Sequence, residues 1–364
     1  MNSGQLTFKH PEPERSRISL YPVFIPFAGC PYRCIYCSQQ KQTGKAMAPS
    51  KLIAQELHAS ISAGFANKRG QVSLGFFGGT FTAMPAEDQR ILLDTARHLK
   101  EIGAVEHIRC STRPDCIDER TVDFLTDFQV DMVELGIQSF DDRVLALSGR
   151  GYTGRQAHMA AATIQKNSLG LGIQLMPGLP GSNTSTFFRD IEITASLRPA
   201  GVRIYPCLVL KNTPLALLWS RQKYRPWSLD KTLNVVSHAF LRLWRMDIPV
   251  IRAGLAPEGA LLPQITAGPW HPALGSLCRG RALAYYVLNL LNSTDARIRM
   301  IYVPHKYQGD FWGHRKENAP LYLKKGIGRE KVEIWQSHLF RLVWQPVSFP
   351  SSQAAGPAPG KQSW

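Results

Sequence analysis

The sequence predicts an α/β fold: a partial (β/α)6 TIM-like barrel followed by a smaller C-terminal α+β extension. Three observations predict it. Short apolar runs alternate with longer amphipathic stretches between residues 22 and 205, the pattern of parallel strands joined by crossover helices. Six such units fall within about 200 residues, which suits a partial barrel better than a closed eight-fold one. Beyond residue 206 the alternation stops, and helical and strand-like stretches follow in a different order.

Each element can be placed in turn. Residues 1–19 are polar and form an N-terminal arm without the apolar run of a secretory signal. The barrel takes residues 20–253. Its strands are expected at 22–27, 72–77, 107–111, 132–137, 171–176 and 202–205, where apolar, β-branched and aromatic residues concentrate. Its helices are expected at 50–63, 86–101, 119–127, 154–167 and 184–197, where apolar positions recur at helical spacing. Amphipathic stretches at 214–221 and 230–246 and a strand-like run at 249–252 complete it. The extension, 254–347, opens with a Gly/Pro-rich loop at 254–272. A helix at 273–291 and strand-like runs at 297–303, 331–335 and 339–344 follow. The tail, 348–364, is rich in Ser, Pro, Gly and Ala and is expected to be disordered.

Composition narrows the function. With 44% hydrophobic residues in 364, the chain can bury a core without disulfide staples. No stretch approaches the ~18 apolar residues of a membrane span, so the expectation is a cytoplasmic protein. The net charge of +16 is uneven: residues 183–364 hold 24 basic against 10 acidic side chains, whereas residues 1–182 hold 19 against 17. Such asymmetry suits a polyanionic partner, and equally a merely basic surface.

The turns that follow the strands carry chemistry-bearing residues. They read Gly78-Gly79-Thr80-Phe81, Ser111-Thr112-Arg113-Pro114, Gln138-Ser139-Phe140 and Pro177-Gly178-Leu179-Pro180-Gly181. In barrels, the C-terminal ends of the strands build the site. Four such turns after successive strands favour one shared site over ordinary turn punctuation.

The seven cysteines are an odd number, which argues against a disulfide framework. Three of them, Cys30, Cys34 and Cys37, stand at Cys-x3-Cys-x2-Cys spacing in the loop after the first strand. Three thiolates this close can wrap one soft metal centre. A structural zinc site takes four protein ligands, usually two Cys-x2-Cys pairs, and no second pair exists. Three ligands fit a [4Fe–4S] cluster with one iron open to a substrate or cofactor.

This spacing, with Tyr36 before the last cysteine, resembles the signature of the radical S-adenosylmethionine (SAM) superfamily. The similarity continues through Gly78-Gly79-Thr80-Phe81, Ser111-Thr112-Arg113-Pro114-Asp115, Glu134-Leu135-Gly136-Ile137-Gln138-Ser139, Met176-Pro177-Gly178-Leu179-Pro180-Gly181 and Arg203-Ile204-Tyr205-Pro206. Over roughly residues 20–255 the series resembles the radical SAM core of the Elongator catalytic subunit family and its shorter bacterial relatives. The resemblance implies a [4Fe–4S] cluster on Cys30, Cys34 and Cys37 and SAM on its open iron. It places Gly78, Gly79 and Thr80 at the SAM amino end, with Gly79 bringing backbone against the methionine moiety. Gln138 is placed at the ribose, Arg150 at the SAM carboxylate, and Gln174 and Met176 near ribose and adenine, with Tyr36 beside the cluster. Ser111 stands where the Elongator subunit has a Glu. No acetyl-CoA loop is recognisable in residues 254–364, so acetyl-CoA-dependent carboxymethylation is not carried over.

Three functions follow. The first is a radical SAM enzyme modifying tRNA or another RNA, served by an electron donor such as flavodoxin or ferredoxin. Lys324, Lys325, Arg329 and Lys331 would meet phosphates, interleaved with Trp312 and Tyr322 as stacking candidates. The second is a radical SAM enzyme on a small molecule such as a porphyrin precursor, with Arg203, Arg252 and His271 holding carboxylates. The third is a non-catalytic, metal-stabilised RNA-binding protein.

Overall fold

Asp118, Thr153, Asn183, Thr213 and Ser228 each accept a backbone N–H from the first turn of the helix that follows, which fixes where five helices start. At Thr153 the Gln156 side chain reaches back to complete a capping box. The computed structural model describes residues 4–14, 18–26, 28–38, 48–67, 70–255, 259–292 and 296–346. It falls into two units, one of residues 11–283 and one of residues 1–10 with 284–364. The boundary lies within the helix Leu274–Asn292.

Strand β1 (Gly4–Phe8) belongs to the smaller unit. The larger unit is built on a parallel sheet of seven strands. These are β2 (Ser19–Ile25), β3 (Val72–Gly78), β4 (Val105–Thr112), β5 (Met132–Gln138), β6 (Gly170–Leu175), β7 (Gly201–Ile204) and, beyond the short β8 (Val209–Leu210), β9 (Val250–Ala253). They pair in chain order, β2-β3-β4-β5-β6-β7-β9, a half-barrel with helices between the strands. The expected partial barrel is therefore present, with one strand more than six: the run near residue 250 joins β7 in parallel, with Arg203 opposite Arg252. The stretch expected to be only a loop contributes β10 (Ile265–Ala267), which pairs antiparallel with β8.

Side chains alternate across the sheet with the period of two that a strand imposes. Phe76, Ile108, Val133, Ile173 and Val202 point to the buried side. Phe77, Ser111, Glu134, Gln174 and Arg203, at positions of the opposite parity on the same strands, line a cavity on the other side. Gly172 makes room there, since a Cβ on it would meet the Glu134 Cγ at 2.8 Å. The hydrophobic effect thus holds one face, and the other is left for polar chemistry.

The smaller unit is a four-stranded sheet in the order β1-β13-β11-β12, from β11 (Ala296–Pro304), β12 (Val332–Trp335) and β13 (Phe340–Pro346). Strand β13 lies between β1 and β11, antiparallel to both. Ile301, Val303, Phe340 and Leu342 are buried, and Phe8 stacks on Phe340 at 5.0 Å. The residues read as an N-terminal arm thus supply an edge strand of this sheet and the start of β2. The tail at 348–364 lies outside the described residues. No helix among the described residues is long and apolar enough to cross a membrane.

Candidate functional site

The loop after β2 carries the cysteines, and backbone hydrogen bonds hold it on two sides. Ile35 donates to the Ser148 carbonyl (3.2 Å) and accepts from the Leu215 N–H (3.0 Å), while Cys37 N–H closes a turn on Cys34 O (3.1 Å). Beneath it, Cys34 and Tyr36 join Val144, Leu179, Cys207, Val209 and Leu215 in an apolar cluster. The loop therefore stands on a packed base.

The turn after β3 presses against the start of the same loop. Gly79 N–H donates to Ile25 O (3.0 Å) and Thr80 N–H to Ala28 O (2.7 Å). A Cβ on Gly79 would collide with the Ala28 backbone, and one on Gly78, at φ +111°, would sit 2.7 Å from Ile25 O. The bare backbone of Gly79 lets the two loops touch, and what a Cβ would meet there is protein. Thr80 Oγ1 lies 3.5 Å from Cys30 Sγ.

Arg150 enters from the other side, 5% exposed. Its Nη1 donates to Cys34 Sγ (3.1 Å) and Tyr36 Oη (3.4 Å), its Nε to Tyr152 Oη (3.0 Å) and its Nη2 to the Gly136 carbonyl. Burial opposes its charge, but Tyr152, Tyr36 and Cys34 hold it charged well beyond the ordinary guanidinium range. Arg113 is tied to Asp115 through two 2.9 Å bonds, donates to the Arg150 carbonyl, and lies 5.2 Å from the Tyr32 and Tyr152 ring centres. Two guanidiniums thus stand near the Cys34 sulfur, Arg150 Nη1 at 3.1 Å and Arg113 Nη1 at 3.9 Å.

Burial drives the remaining thiols the opposite way. It pushes Cys110 and Cys207 up to about 12, and Cys116 up to about 11, and Cys278 is fully buried. Cys110, Cys116 and Cys207 therefore stay protonated, and buried thiols of this kind behave as small hydrophobes.

Gln138 ends β5 with φ +71°, a left-handed conformation that turns the chain at the strand end. Its carbonyl accepts the Met176 N–H (2.9 Å), and its Oε1 accepts from Gln174 Nε2 (3.2 Å). Asp190 fixes the next residues, accepting from Ser139 Oγ and the Phe140 N–H, both at 2.8 Å. Burial raises Asp190 to about 6, against the pull of those two hydrogen bonds.

All twelve residues nominated from the sequence for the cluster and SAM line one cavity of about 390 Å³: Cys30, Cys34, Cys37, Tyr36, Gly78, Gly79, Thr80, Ser111, Gln138, Arg150, Gln174 and Met176. That volume suits a cofactor pocket, whose usual range is about 300–1,000 Å³. Among the described residues no three Cys, His, Asp or Glu side chains converge on a point for a single ion. A cluster takes its ligands on separate irons, so it needs three thiols on a shared wall, which this cavity has. The donor set fits a [4Fe–4S] group with SAM.

Sequence reasoning missed the buried ionic layer next to that wall. Arg203 makes two hydrogen bonds to the Glu134 carboxylate, one of 3.1 Å from Nη2, and Arg109 reaches the same carboxylate at 3.4 Å. The signal available was a charged residue at an inward position of β4, β5 and β7. Lys324, Lys325, Arg329 and Lys331 lie in the smaller unit, outside this cavity. The first three are exposed, and Lys331 Nζ donates to Gly326 O (2.6 Å). Tyr322 is not available to stack on a base: it is fully buried, stacked on Phe311 at 4.4 Å.

A parallel half-barrel with three cysteines on the loop after its first strand defines a radical SAM core. Residues 24–192 match the radical SAM superfamily and residues 199–282 the radical SAM C-terminal domain. The chain carries a radical SAM core similar to that of Elongator protein 3, and it is a radical SAM enzyme. A tRNA uridine(34) acetyltransferase of Methanocaldococcus infernus is 30% identical over 189 residues, 46% of this chain and 35% of that one. Mouse Elongator complex protein 3 is 27% identical over 230 residues, 56% and 40% of the two chains. The solved archaeal Elp3 of M. infernus superposes with a TM-score of 0.56 at 22% identity, covering 85% of this chain and 68% of that one, and shows the fold. The chain spans about a third of the length of the first of these relatives.

Proposed function

We propose that the chain reductively cleaves SAM at a [4Fe–4S] cluster and modifies tRNA. The observation that carries the reading is the convergence of all twelve nominated residues on one cavity. Cys30, Cys34 and Cys37 would hold the cluster, and Arg150, donating to Cys34 Sγ, would orient that sulfur. When bound, the cluster and SAM supply a one-electron cleavage to methionine and a 5′-deoxyadenosyl radical, which takes a hydrogen atom from the substrate.

The chain's own residues bind and orient. The Gly78–Thr80 turn and Ser111 offer backbone and hydroxyl groups to the SAM amino end. The Gln138–Gln174 amide pair faces the ribose, and Met176 supplies an apolar surface for the adenine. Arg150 retains the charge to meet the SAM carboxylate if it exchanges its Gly136 contact for it. Burial of the loop on its apolar base keeps water from the reactive centre.

The tRNA reading rests on the names of the relatives, and on the charge imbalance of residues 183–364. Lys324, Lys325, Arg329 and Lys331 would neutralise phosphates. A small cytoplasmic electron carrier, flavodoxin or ferredoxin, would deliver the electron.

The test has two arms. Anaerobically reconstituted protein should absorb near ~400 nm, as thiolate-held clusters do. Cys30→Ala, Cys34→Ala and Cys37→Ala should each lose that absorbance, while Cys110→Ala and Cys207→Ala keep it. Equal loss in the latter two would overturn the ligand set. Modified tRNA nucleosides should differ between cells with and without the gene by mass spectrometry. An unchanged tRNA profile beside a changed small-metabolite profile would move the substrate to the second class.

A further inference from the structure

Among the described residues, the lumen of the half-barrel holds more positive charge than its one carboxylate, Glu134, can balance. Arg109 and Arg203 both contact Glu134, which is 3% exposed. Arg252, on the last strand of the sheet, lies opposite Arg203 in the β7–β9 register. Like charges facing each other across a strand pair are destabilising unless something lies between or beside them. Arg203 is satisfied by Glu134 and by Tyr205 Oη (3.1 Å). Arg252 meets no carboxylate among the described residues. The hydrogen bond recorded for it runs from Nε to the Gly254 carbonyl at 3.3 Å, which leaves both Nη groups of an exposed guanidinium on the cavity wall.

The surrounding wall is of a different character. Phe24, Phe77, Tyr205, Leu208 and Leu261 line the cavity with Arg252 and present aromatic and aliphatic surface. The SAM-facing residues assigned above do not include any of these. An apolar and aromatic wall with one uncommitted guanidinium fits an amphiphilic molecule: a flat or apolar body, and one oxyanion.

We propose that Arg252 is the oxyanion anchor of the substrate subsite, taking a phosphate or carboxylate in a forked contact while the body of the substrate rests on the aromatic wall. This deepens the proposed function, on which it rests for the location of the substrate. The fork geometry of guanidinium matches both oxyanions. The remaining excess of positive charge draws the anion in. The two sources share this chemistry: a nucleotide phosphate, and the carboxylate of a small acid.

The experiment measures equilibrium binding of three probes to the reconstituted full chain: uridine, uridine 5′-monophosphate and the 5′-carboxylate analogue of uridine. The wild type should prefer at least one anionic probe over uridine by about tenfold or more, the scale of one charge-assisted contact. Preference for the phosphate assigns the oxyanion to a nucleotide, and preference for the carboxylate assigns it to a small acid. Arg252→Gln should abolish the preference, and Arg252→Lys should retain part of it. Thermal unfolding should be unchanged in both variants, since the exposed side chain gives up only its contact with Gly254. No anion preference in the wild type, or an equal preference in Arg252→Gln, overturns the anchor. Binding of whole tRNA is measured in parallel. If tRNA binds and no anion preference exists, the anchor fails and the tRNA reading stands. If the preference exists and tRNA does not bind, the anchor stands and the tRNA reading fails.

Discussion

Replacing Gly79 with Ala tests how the cysteine loop is held. The added Cβ would land on the Ala28 backbone, which has no flexible side-chain end to give way. The two loops must separate, and the Gly79–Ile25 and Thr80–Ala28 hydrogen bonds (3.0 and 2.7 Å) stretch or break. Each is worth about 1 kcal/mol net. Forced overpacking adds about 1–3 kcal/mol. The sum is a loss of about 3–5 kcal/mol in unfolding free energy, read from urea denaturation. Ala28 is two residues before Cys30, so iron content after reconstitution should fall in step. Gly259, where a Cβ meets nothing within 4 Å, is the control, and Gly259→Ala should stay within about 0.5 kcal/mol of wild type. If Gly79→Ala lost less than about 1 kcal/mol and kept its iron, the loop contact would not be what holds the site.

Other perturbations read other parts of the same unit. Glu134→Gln should cost about 3–5 kcal/mol by denaturation, because Arg203 is left buried without its carboxylate, and Glu134→Leu with Arg203→Met should recover most of that loss; equal losses in the two would remove the ion pair as the cause. Asp190, raised by burial from 3.8 to about 6, contributes stability that is present below pH 3.8 and lost as pH rises through about 6. Asp190→Asn should therefore gain on the wild type between pH 4 and pH 7, by up to about 3 kcal/mol at about 1.4 kcal/mol per unit, and a constant difference across that range would contradict this. Neutralising Lys324, Lys325, Arg329 and Lys331 together should weaken tRNA binding and flatten its dependence on salt, at about 0.7–0.9 in the log–log slope per phosphate contact; superimposable titrations would take these residues out of any tRNA contact.

Local signals were the ones legible before the structure. The helices Ala86–Glu101, Glu119–Asp127 and Thr184–Leu197 begin and end where their periodicity starts and stops. Asp118 and Asn183 cap the last two through short-range hydrogen bonds that a sequence displays directly. The cysteine spacing is equally local. What stayed hidden depends on residues far apart in the chain. The pairing of β1 with β13 joins stretches near opposite ends, and no composition or period signals it. The six-residue helix Asp142–Leu147 is too short to show a period. Tyr322 looked available beside its lysines, yet burial depends on Phe311 turning toward it. Gly79 was legible as a position without room, but the Ala28 backbone that a Cβ would meet there was not, because a sequence shows that space is scarce and does not show what fills it.

The middle position of β13 has a consequence for synthesis. A ribosome releases Phe8 long before Phe340, its partner in the register. Until β13 is made, β1 has no strand to pair with, and β11 lacks the neighbour that separates it from β1. Residues 11–283 are all made before that partner emerges, so the half-barrel can form while the chain is still growing. The four-stranded sheet closes only once β13 is made, across the whole separation from Phe8 to Phe340, which is an entropically slow step. Ribosomes stalled between residues 300 and 340 should therefore carry a protease-resistant barrel and a protease-sensitive amino terminus.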